Sequence, residues 1–143
     1  MLVVREPLSS RERAALGRHT RLDTSQAAAE FLTPRLAREE VEIMVLVALD
    51  GQNRVRHVAE IARGGMHGCS VTSKDILRAA LIAGSSGFIL AHNHPSGDPT
   101  PSGEDVVMSR SVQEAGEVVG VKLLDHIIIA GNRHSSLLDL GLL

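Results

Sequence analysis

Two histidines stand two residues apart, directly after the apolar run from Gly87 to Ala91. In an extended strand alternate side chains point the same way, so the imidazoles of His92 and His94 can face one point. Asp105 follows a loop rich in proline and glycine, PSGDPTPSG, which can bring its carboxylate back toward the histidines. Two neutral imidazoles and one carboxylate leave the fourth position of a tetrahedral zinc ion open for water. These residues therefore predict one Zn²⁺ per chain, with a bound water of lowered pKa.

A metal-bound water needs a proton acceptor, and Glu60 is the upstream acid that we assign to this role. It lies in the run VAEIARG, and apolar neighbours suit a carboxylate to accept a proton and to return it. Ser102 stands close to Asp105 in the sequence, and its hydroxyl can donate to the oxyanion of a tetrahedral intermediate. Glu60 and Ser102 are therefore the candidate catalytic residues.

Each of these residues also has a purely structural interpretation. Ser102 and Asp105 form the pattern S-x-x-D, which is typical of a helix cap and is compatible with a metal ligand at the same place. Glu60 could instead be a surface acid on a hairpin. His126 alternates with apolar residues in LLDHIII, which favours a hydrogen-bonded core histidine, or one that orients a metal ligand, over a fourth ligand.

Other polar residues near the motif give weaker indications. His67 lies in a glycine-rich stretch, where it is either solvated or lines the cleft. Cys69 is interpreted as a small packed residue, because no histidine and aspartate partners are implied for it. Asp98 is expected to stabilise a turn with Gly97. The roles of His67, Cys69 and His126 stay open at this point.

The elements that position these residues follow from periodicity, caps and turn residues. We expect helices from Ser9 or Ser10 to His19, from Ser25 to about Arg38 with Pro34 near its end, from Thr72 or Ser73 to about Ala83, and from Ser102 to about Ala115. We expect strands from Val41 to Asp50, from Val55 to Arg63, from Gly87 to Ala91, within Val118 to Ile129, and near His134 to Leu138. A turn at 50–53 makes the first two strands a hairpin. This order predicts an α+β fold, three-layered like α/β/α, with a mixed, largely antiparallel sheet flanked by helices.

Composition limits the classes of function. The chain has 143 residues, a net charge of −2 and two aromatic residues, Phe31 and Phe88, so a nucleic-acid-binding surface is not expected. Cys69 is the only cysteine, which excludes an internal disulfide framework and a cysteine-rich zinc site. No apolar run is long enough to span a membrane, and no signal peptide is recognisable, so we expect a cytoplasmic protein. The oligomeric state is not indicated.

The spacing of the candidate residues resembles a known motif. His92-x-His94, seven residues, Ser102, two residues and Asp105, with a glutamate upstream, is similar to the JAMM motif of MPN+ metalloproteases. Four wider stretches resemble the RadC family in particular: LDGQNRV (49–55), EIARG (60–64), LAHNHPSGDPTPSGED (90–105) and LLDHIIIAG (123–131). The resemblance covers roughly Val41 to Leu143. It implies the MPN/JAB architecture, which is cytidine-deaminase-like, with His92, His94 and Asp105 on zinc, Glu60 as general acid and base, and Ser102 at the oxyanion.

The resemblance also implies a domain organisation and a function. Residues 1–40 would be a helical segment packed on the core, and 41–143 the JAB/MPN+ catalytic domain of one globular unit, without the N-terminal helix-hairpin-helix domain of longer RadC proteins. The implied activity is zinc-dependent hydrolysis of a peptide, isopeptide or related amide bond in a peptide or protein substrate.

Two other functions stay open from the sequence. One is a RadC-like accessory role in DNA repair or recombination, or hydrolysis of nucleic acid. The other is a non-catalytic MPN scaffold. The presence of every ligand argues against the scaffold, and a site with one carboxylate and two imidazoles is unlike the carboxylate-rich magnesium sites common in nucleases.

Overall fold

The computed structural model describes residues 20–64 and 71–143. The helices are α1 (Ser25–Leu36), α2 (Ser73–Ile82) and α3 (Gly103–Val119), and the strands are β1 (Ile43–Leu49), β2 (Val55–Arg63), β3 (Gly87–Asn93), β4 (Lys122–Ala130) and β5 (Arg133–Ser136). The helix expected to end at His19 lies outside the described residues, as do His67 and Cys69. No helix in the described part of the chain is long and apolar enough to cross a membrane.

The five strands form one mixed sheet in the order β2-β1-β3-β4-β5. Only β3 and β4 are parallel, and α3 connects them as a crossover, whereas the other neighbours are antiparallel. Helix α1 packs on one face of the sheet, and α2 and α3 pack on the other. The structure confirms the expected α+β fold with a largely antiparallel sheet between helices, and it confirms the β1–β2 hairpin.

Each face of the sheet has its own hydrophobic core. On the α1 face, Leu32 and Leu36 of the helix pack with Val45, Ala91 and other strand residues. On the opposite face, which we call the α2–α3 face, strand residues pack with the buried residues of α2 and α3; Met44, Leu90, Ile76 and Val112 belong to this core. Every residue of β1 is buried, because this central strand contributes alternate side chains to both cores.

The helices begin at hydroxyl-bearing caps. Thr24 caps α1, which ends at Leu36, two residues beyond Pro34. Thr72 caps α2 and Ser102 caps α3, and each forms a reciprocal capping box with an aspartate three residues later. These hydrogen bonds satisfy backbone groups that the first turn of a helix would otherwise leave without partners.

Helix α3 is longer than the sequence suggests. It was expected to end near Ala115, but it continues to Val119, so Val118 and Val119 are helical rather than part of a strand. Gly116 does not end the helix. A Cβ there would overlap the carbonyl oxygen of Val121, so this glycine allows α3 to lie close to the start of β4. The helix ends at Gly120, whose left-handed conformation turns the chain into β4.

Candidate metal centre

The end of β3 presents the two histidines. His92 pairs with Met44 of β1, a residue of the α2–α3 core, and directly paired strand residues share a face. His92 is 2% exposed, and its imidazole therefore lies under α3. The backbone N–H of His94 donates to the carbonyl of Ile129 at 2.8 Å, which keeps the residue beside β4 just after the strand ends.

Three candidate ligand atoms converge at this place. The Nε2 atoms of His92 and His94 lie 2.9 Å apart, and Oδ2 of Asp105 lies 3.5 Å from the first and 3.7 Å from the second. Zinc bonds to such ligands at tetrahedral angles place the ligand atoms about 3.4 Å from one another. The observed triangle is close to that size, so the three side chains fit a metal ion. Among the described residues this is the only group of three such side chains that can hold one.

Asp105 serves the helix and the cluster with the same carboxylate. Its Oδ2 accepts from the backbone N–H of Ser102 at 2.9 Å, and its own N–H donates to the Ser102 hydroxyl at 3.0 Å. Burial would raise the pKa of Asp105, but hydrogen bonding and charge from His92, together with the Ser102 bonds, outweigh burial and lower the pKa. The carboxylate is therefore held ionised and oriented, as a metal ligand must be.

A backbone carbonyl fixes the imidazole of His94. Its Nδ1 lies 2.8 Å from the carbonyl oxygen of Asp98. A carbonyl only accepts, so Nδ1 carries the hydrogen and Nε2 of the neutral ring keeps its lone pair. The loop that supplies this carbonyl is itself anchored, because Thr100 donates to the Asp98 carboxylate and Arg133 donates to the Gly97 carbonyl at 2.5 Å.

The ring of His126 contacts His92 at Nδ1, the ring nitrogen that does not face the other two candidate ligands. Nδ1 of His92 lies 2.7 Å from Nε2 of His126, and Nδ1 of His126 lies 2.6 Å from the Ser109 hydroxyl of α3. His126 and Ser109 are fully buried. Burial is the main cause that lowers the pKa of His126 to about 3, and the charge of the nearby His92 is the second. This ring is therefore neutral. His126 is thus a hydrogen-bonded core histidine, one of the interpretations that the sequence left open.

Comparisons with known proteins identify the family of the chain. The sequence profile described as the RadC-like JAB domain matches residues 22–142. The chain belongs to this family. It is 36% identical over 136 residues to a UPF0758 protein of Symbiobacterium thermophilum, covering 95% of the chain and 58% of that relative. It is 40% identical over 109 residues to a UPF0758 protein of Clostridium perfringens, covering 76% and 47%. A UPF0758 protein of Coprothermobacter proteolyticus is 41% identical over 116 residues, covering 80% and 49%.

The chain spans about half the length of the curated relatives that it matches. The RadC-like JAB match, by contrast, includes all the strands and helices of the described residues and the whole triangle of ligand atoms. Family membership therefore applies to the part of the chain that carries the candidate metal centre.

In this RadC-like JAB domain, Ser102 lies beside the three candidate ligands. Glu60 does not. Ser102 is exposed and next to Asp105 through the capping box. Glu60 pairs with Val45, whose side chain belongs to the α1-face core, and it lines a cavity with residues at the end of α1. Arg63 donates to its carboxylate at 2.5 Å. The expected position of Glu60 beside the metal ligands therefore differs from the structure, which puts it on the opposite face of the sheet.

The physical reason is a β-bulge in the hairpin. The register shifts between Ala48 and Leu49, so that Arg56 is an extra residue on β2, and Glu60 pairs with Val45 instead of Met44. One extra residue inverts the facing of the residues beyond it. Without the bulge, Glu60 would share the face of His92.

Strand alternation places a different glutamate on the face of the imidazoles. Ile43 packs in the α1-face core, so strand alternation directs Glu42, one residue earlier, to the α2–α3 face. Continued by two residues, the β1–β3 register that pairs Met44 with His92 places Glu42 alongside His94. Glu42 was not recognised from the sequence, because the proton acceptor was expected among apolar neighbours within a strand, whereas Glu42 stands just before the apolar run of β1.

Asn93 holds the segment that contains Glu42. Its side-chain oxygen accepts from the backbone N–H of Ile43 at 2.7 Å, and its amide nitrogen donates to the carbonyl of Val41 at 2.9 Å. Asn93 is buried and points away from the two histidines that flank it in the sequence. The amide therefore fixes the start of β1 next to the end of β3.

Proposed function

We propose that this protein is a zinc-dependent hydrolase that cleaves a peptide, isopeptide or related amide bond. The triangle formed by the side chains of His92, His94 and Asp105 supports the proposal. Two imidazoles and one carboxylate at this spacing match the ligand set of catalytic zinc, which keeps one position open. Membership of the RadC-like JAB family supports it as well.

A bound zinc ion would supply a water of lowered pKa and would polarise a substrate carbonyl. Ser102 lies at the rim of the cluster. Its oxygen accepts from the Asp105 N–H, which leaves the hydroxyl hydrogen free to point toward a substrate. In the proposal this hydroxyl donates to the oxyanion that develops when the carbonyl is attacked. A peptide or protein is the proposed substrate.

The reaction needs a group that takes a proton from water and returns it to the leaving nitrogen. Glu60 was expected to do this, but its carboxylate is paired with Arg63 on the α1 face. Glu42 is half-buried, and strand alternation from Ile43 directs it to the face of the imidazoles. We therefore assign the proton transfer to Glu42 in this proposal, with Glu60 as the alternative that the same experiment tests.

The experiment is a zinc-loading and cleavage assay on four proteins: wild type, Glu42→Gln, Glu60→Gln and His92→Ala. Wild type should bind about one zinc per chain and cleave a member of a peptide and isopeptide panel. Glu42→Gln should keep the zinc and lose about 10²–10⁴-fold in rate, the usual contribution of general acid–base catalysis. Glu60→Gln should keep both zinc and rate, and His92→Ala should lose zinc.

Three results would contradict the proposal in separable ways. Wild type that takes up no transition metal on titration would remove the metal centre. Zinc binding without cleavage of any amide substrate would remove the proposed activity but leave the site. Loss of rate in Glu60→Gln with full rate in Glu42→Gln would return proton transfer to Glu60.

A further inference from the structure

The two candidate histidine ligands are oriented by different kinds of partner. His94 is held by a backbone carbonyl, which can only accept a hydrogen bond. His92 is held by the ring of His126, and a neutral imidazole has one nitrogen that donates and one that accepts. The carbonyl therefore dictates where the hydrogen of His94 resides, whereas His126 is compatible with a hydrogen on either nitrogen of His92.

The row from His92 through His126 to Ser109 can be polarised in two directions. In the first, Nδ1–H of His92 donates to His126 Nε2, and Nδ1–H of His126 donates to the Ser109 oxygen. In the second, Ser109 donates to His126, whose Nε2–H donates to Nδ1 of His92. Both directions satisfy the two short contacts of 2.7 and 2.6 Å. Only the first leaves the lone pair of His92 on Nε2, the atom that faces His94 and Asp105.

We infer that His126 and Ser109 are positioning residues that select the tautomer of His92 with an open Nε2, and so set the affinity of the cluster for a metal ion. The inference rests on the proposed metal centre but not on its hydrolytic activity. Ser109 is suited to this role because a hydroxyl can accept from a ring N–H, and because it lies four residues after Asp105 on the same side of α3. One helix therefore supplies a ligand and the far end of the hydrogen-bonded row.

Burial makes the choice of tautomer consequential. His126 and Ser109 are both 0% exposed, so water does not replace a lost hydrogen-bond partner. Removing the acceptor at Nε2 of His126 would leave the Nδ1–H of His92 without a partner. The ring would then favour hydrogen on Nε2, where Asp105 can accept it, and that tautomer cannot bind a metal through Nε2.

The test compares His126→Leu with His126→Gln. Leucine removes both hydrogen bonds, whereas the glutamine amide oxygen can reach the position of Nε2 and accept from His92. Zinc affinity is measured by competition with a chelator, and the tautomer of His92 by the ¹⁵N shifts of its ring. His126→Leu should lower zinc affinity about 10–100-fold, the usual cost of losing a partner of a metal-bound histidine. His126→Gln should restore most of that affinity and show hydrogen on Nδ1 of His92.

A second pair of variants covers the case in which His126→Leu does not fold. Ser109→Ala removes the end of the row, and Ser111→Ala, on the same helix but hydrogen-bonded to Ser73, is the control. Ser109→Ala should lower zinc affinity several-fold, with the ring shifts of His94 unchanged, and Ser111→Ala should leave affinity unaltered.

Equal affinities of wild type, His126→Leu and Ser109→Ala would overturn the inference. Equal losses in His126→Leu and His126→Gln would also overturn it, because the ring would then act by packing alone. If wild type binds no metal, the metal centre fails and the inference fails with it, whereas a zinc-binding protein without hydrolytic activity would remove only the proposed activity.

Discussion

Helices α2 and α3 begin in the same way on the same face of the sheet. Thr72 and Asp75 form the capping box of α2, and Ser102 and Asp105 form that of α3. The Asp75 carboxylate accepts from the backbone N–H and the hydroxyl of Thr72. The Asp105 carboxylate accepts from its own cap and also lies within 4 Å of two imidazoles.

This difference between Asp75 and Asp105 arises from residues outside the two helices. Each box is a local device that four consecutive residues can form without any other part of the chain. The α3 box becomes part of a candidate metal centre only because β3 ends beside it with two histidines on the appropriate face. A capping pattern therefore marks a helix start, and the residues around it in space determine whether it also contributes to a candidate metal centre.

The largest expected effect separates the two aspartates. Asp105→Asn should lower zinc affinity more than about 100-fold, because a neutral amide replaces a charged ligand and even partners of ligands contribute 10–100-fold. Asp75→Asn should leave zinc affinity unchanged. Chelator competition on both variants measures this, and a similar loss in the two would mean that helix capping, rather than ligation, governs the affinity.

The two cap hydroxyls should differ in a smaller way. Ser102→Ala and Thr72→Ala should each lower the free energy of unfolding by about 1 kcal/mol, the usual value of an N-cap. Only Ser102→Ala should also slow the proposed hydrolysis, by about 100-fold, if its hydroxyl stabilises the oxyanion. Denaturant unfolding and kcat on the same preparations give both numbers, and an unchanged kcat in Ser102→Ala would exclude the oxyanion role.

The loop that leads to the α3 box should contribute less again. It holds Pro99 and Pro101, and proline reduces the number of conformations that a segment loses on ordering. The double variant Pro99→Gly, Pro101→Gly should bind zinc several-fold more weakly with all ligands intact. Unchanged affinity in a chelator competition would show that the Asp98 carbonyl and the Arg133 bond hold the loop without the prolines.

The smallest expected effect concerns a third aspartate, Asp125, whose pKa is shifted in the opposite direction from that of Asp105. Burial raises the pKa of Asp125, although hydrogen bonds from Ser136, Leu138 and His126 act against it. A raised pKa in the folded state means that this residue contributes stability at low pH and loses it as pH rises through the folded pKa.

The stability of wild type relative to Asp125→Asn should therefore decrease from pH 3 to pH 6. Urea unfolding of both proteins across this range measures the change. A relative stability that rises with pH instead would mean that the hydrogen bonds to Asp125 outweigh its burial.

The features with local determinants were predictable from the sequence. The helix starts near Thr72 and at Ser102 and the hairpin turn depend on a few consecutive residues, and the histidine spacing depends on strand alternation. The end of α3 was placed too early because Gly116, a residue type common at helix ends, lies inside the helix, where it allows the Val121 carbonyl to come close.

In the candidate site too, only the features with local determinants were predictable from the sequence. His92, His94 and Asp105 come together as their spacing suggests. The face of Glu60 depends on a bulge opposite Ala48 and Leu49, and the row through His126 and Ser109 depends on the parallel pairing of β3 with β4. Neither feature has a local cause, so neither can be deduced from a pattern along the chain.

Adjacent residues at the end of β3 have two unrelated roles. His92 and His94 face the candidate metal centre, while Asn93 between them secures the start of β1 on the other side. A shift of β3 by one position would put the amide among the ligands and both imidazoles beneath α1. Insertions or deletions in this strand should therefore be tolerated only in pairs, which makes its length a stricter requirement for this protein than the identity of most of its apolar residues.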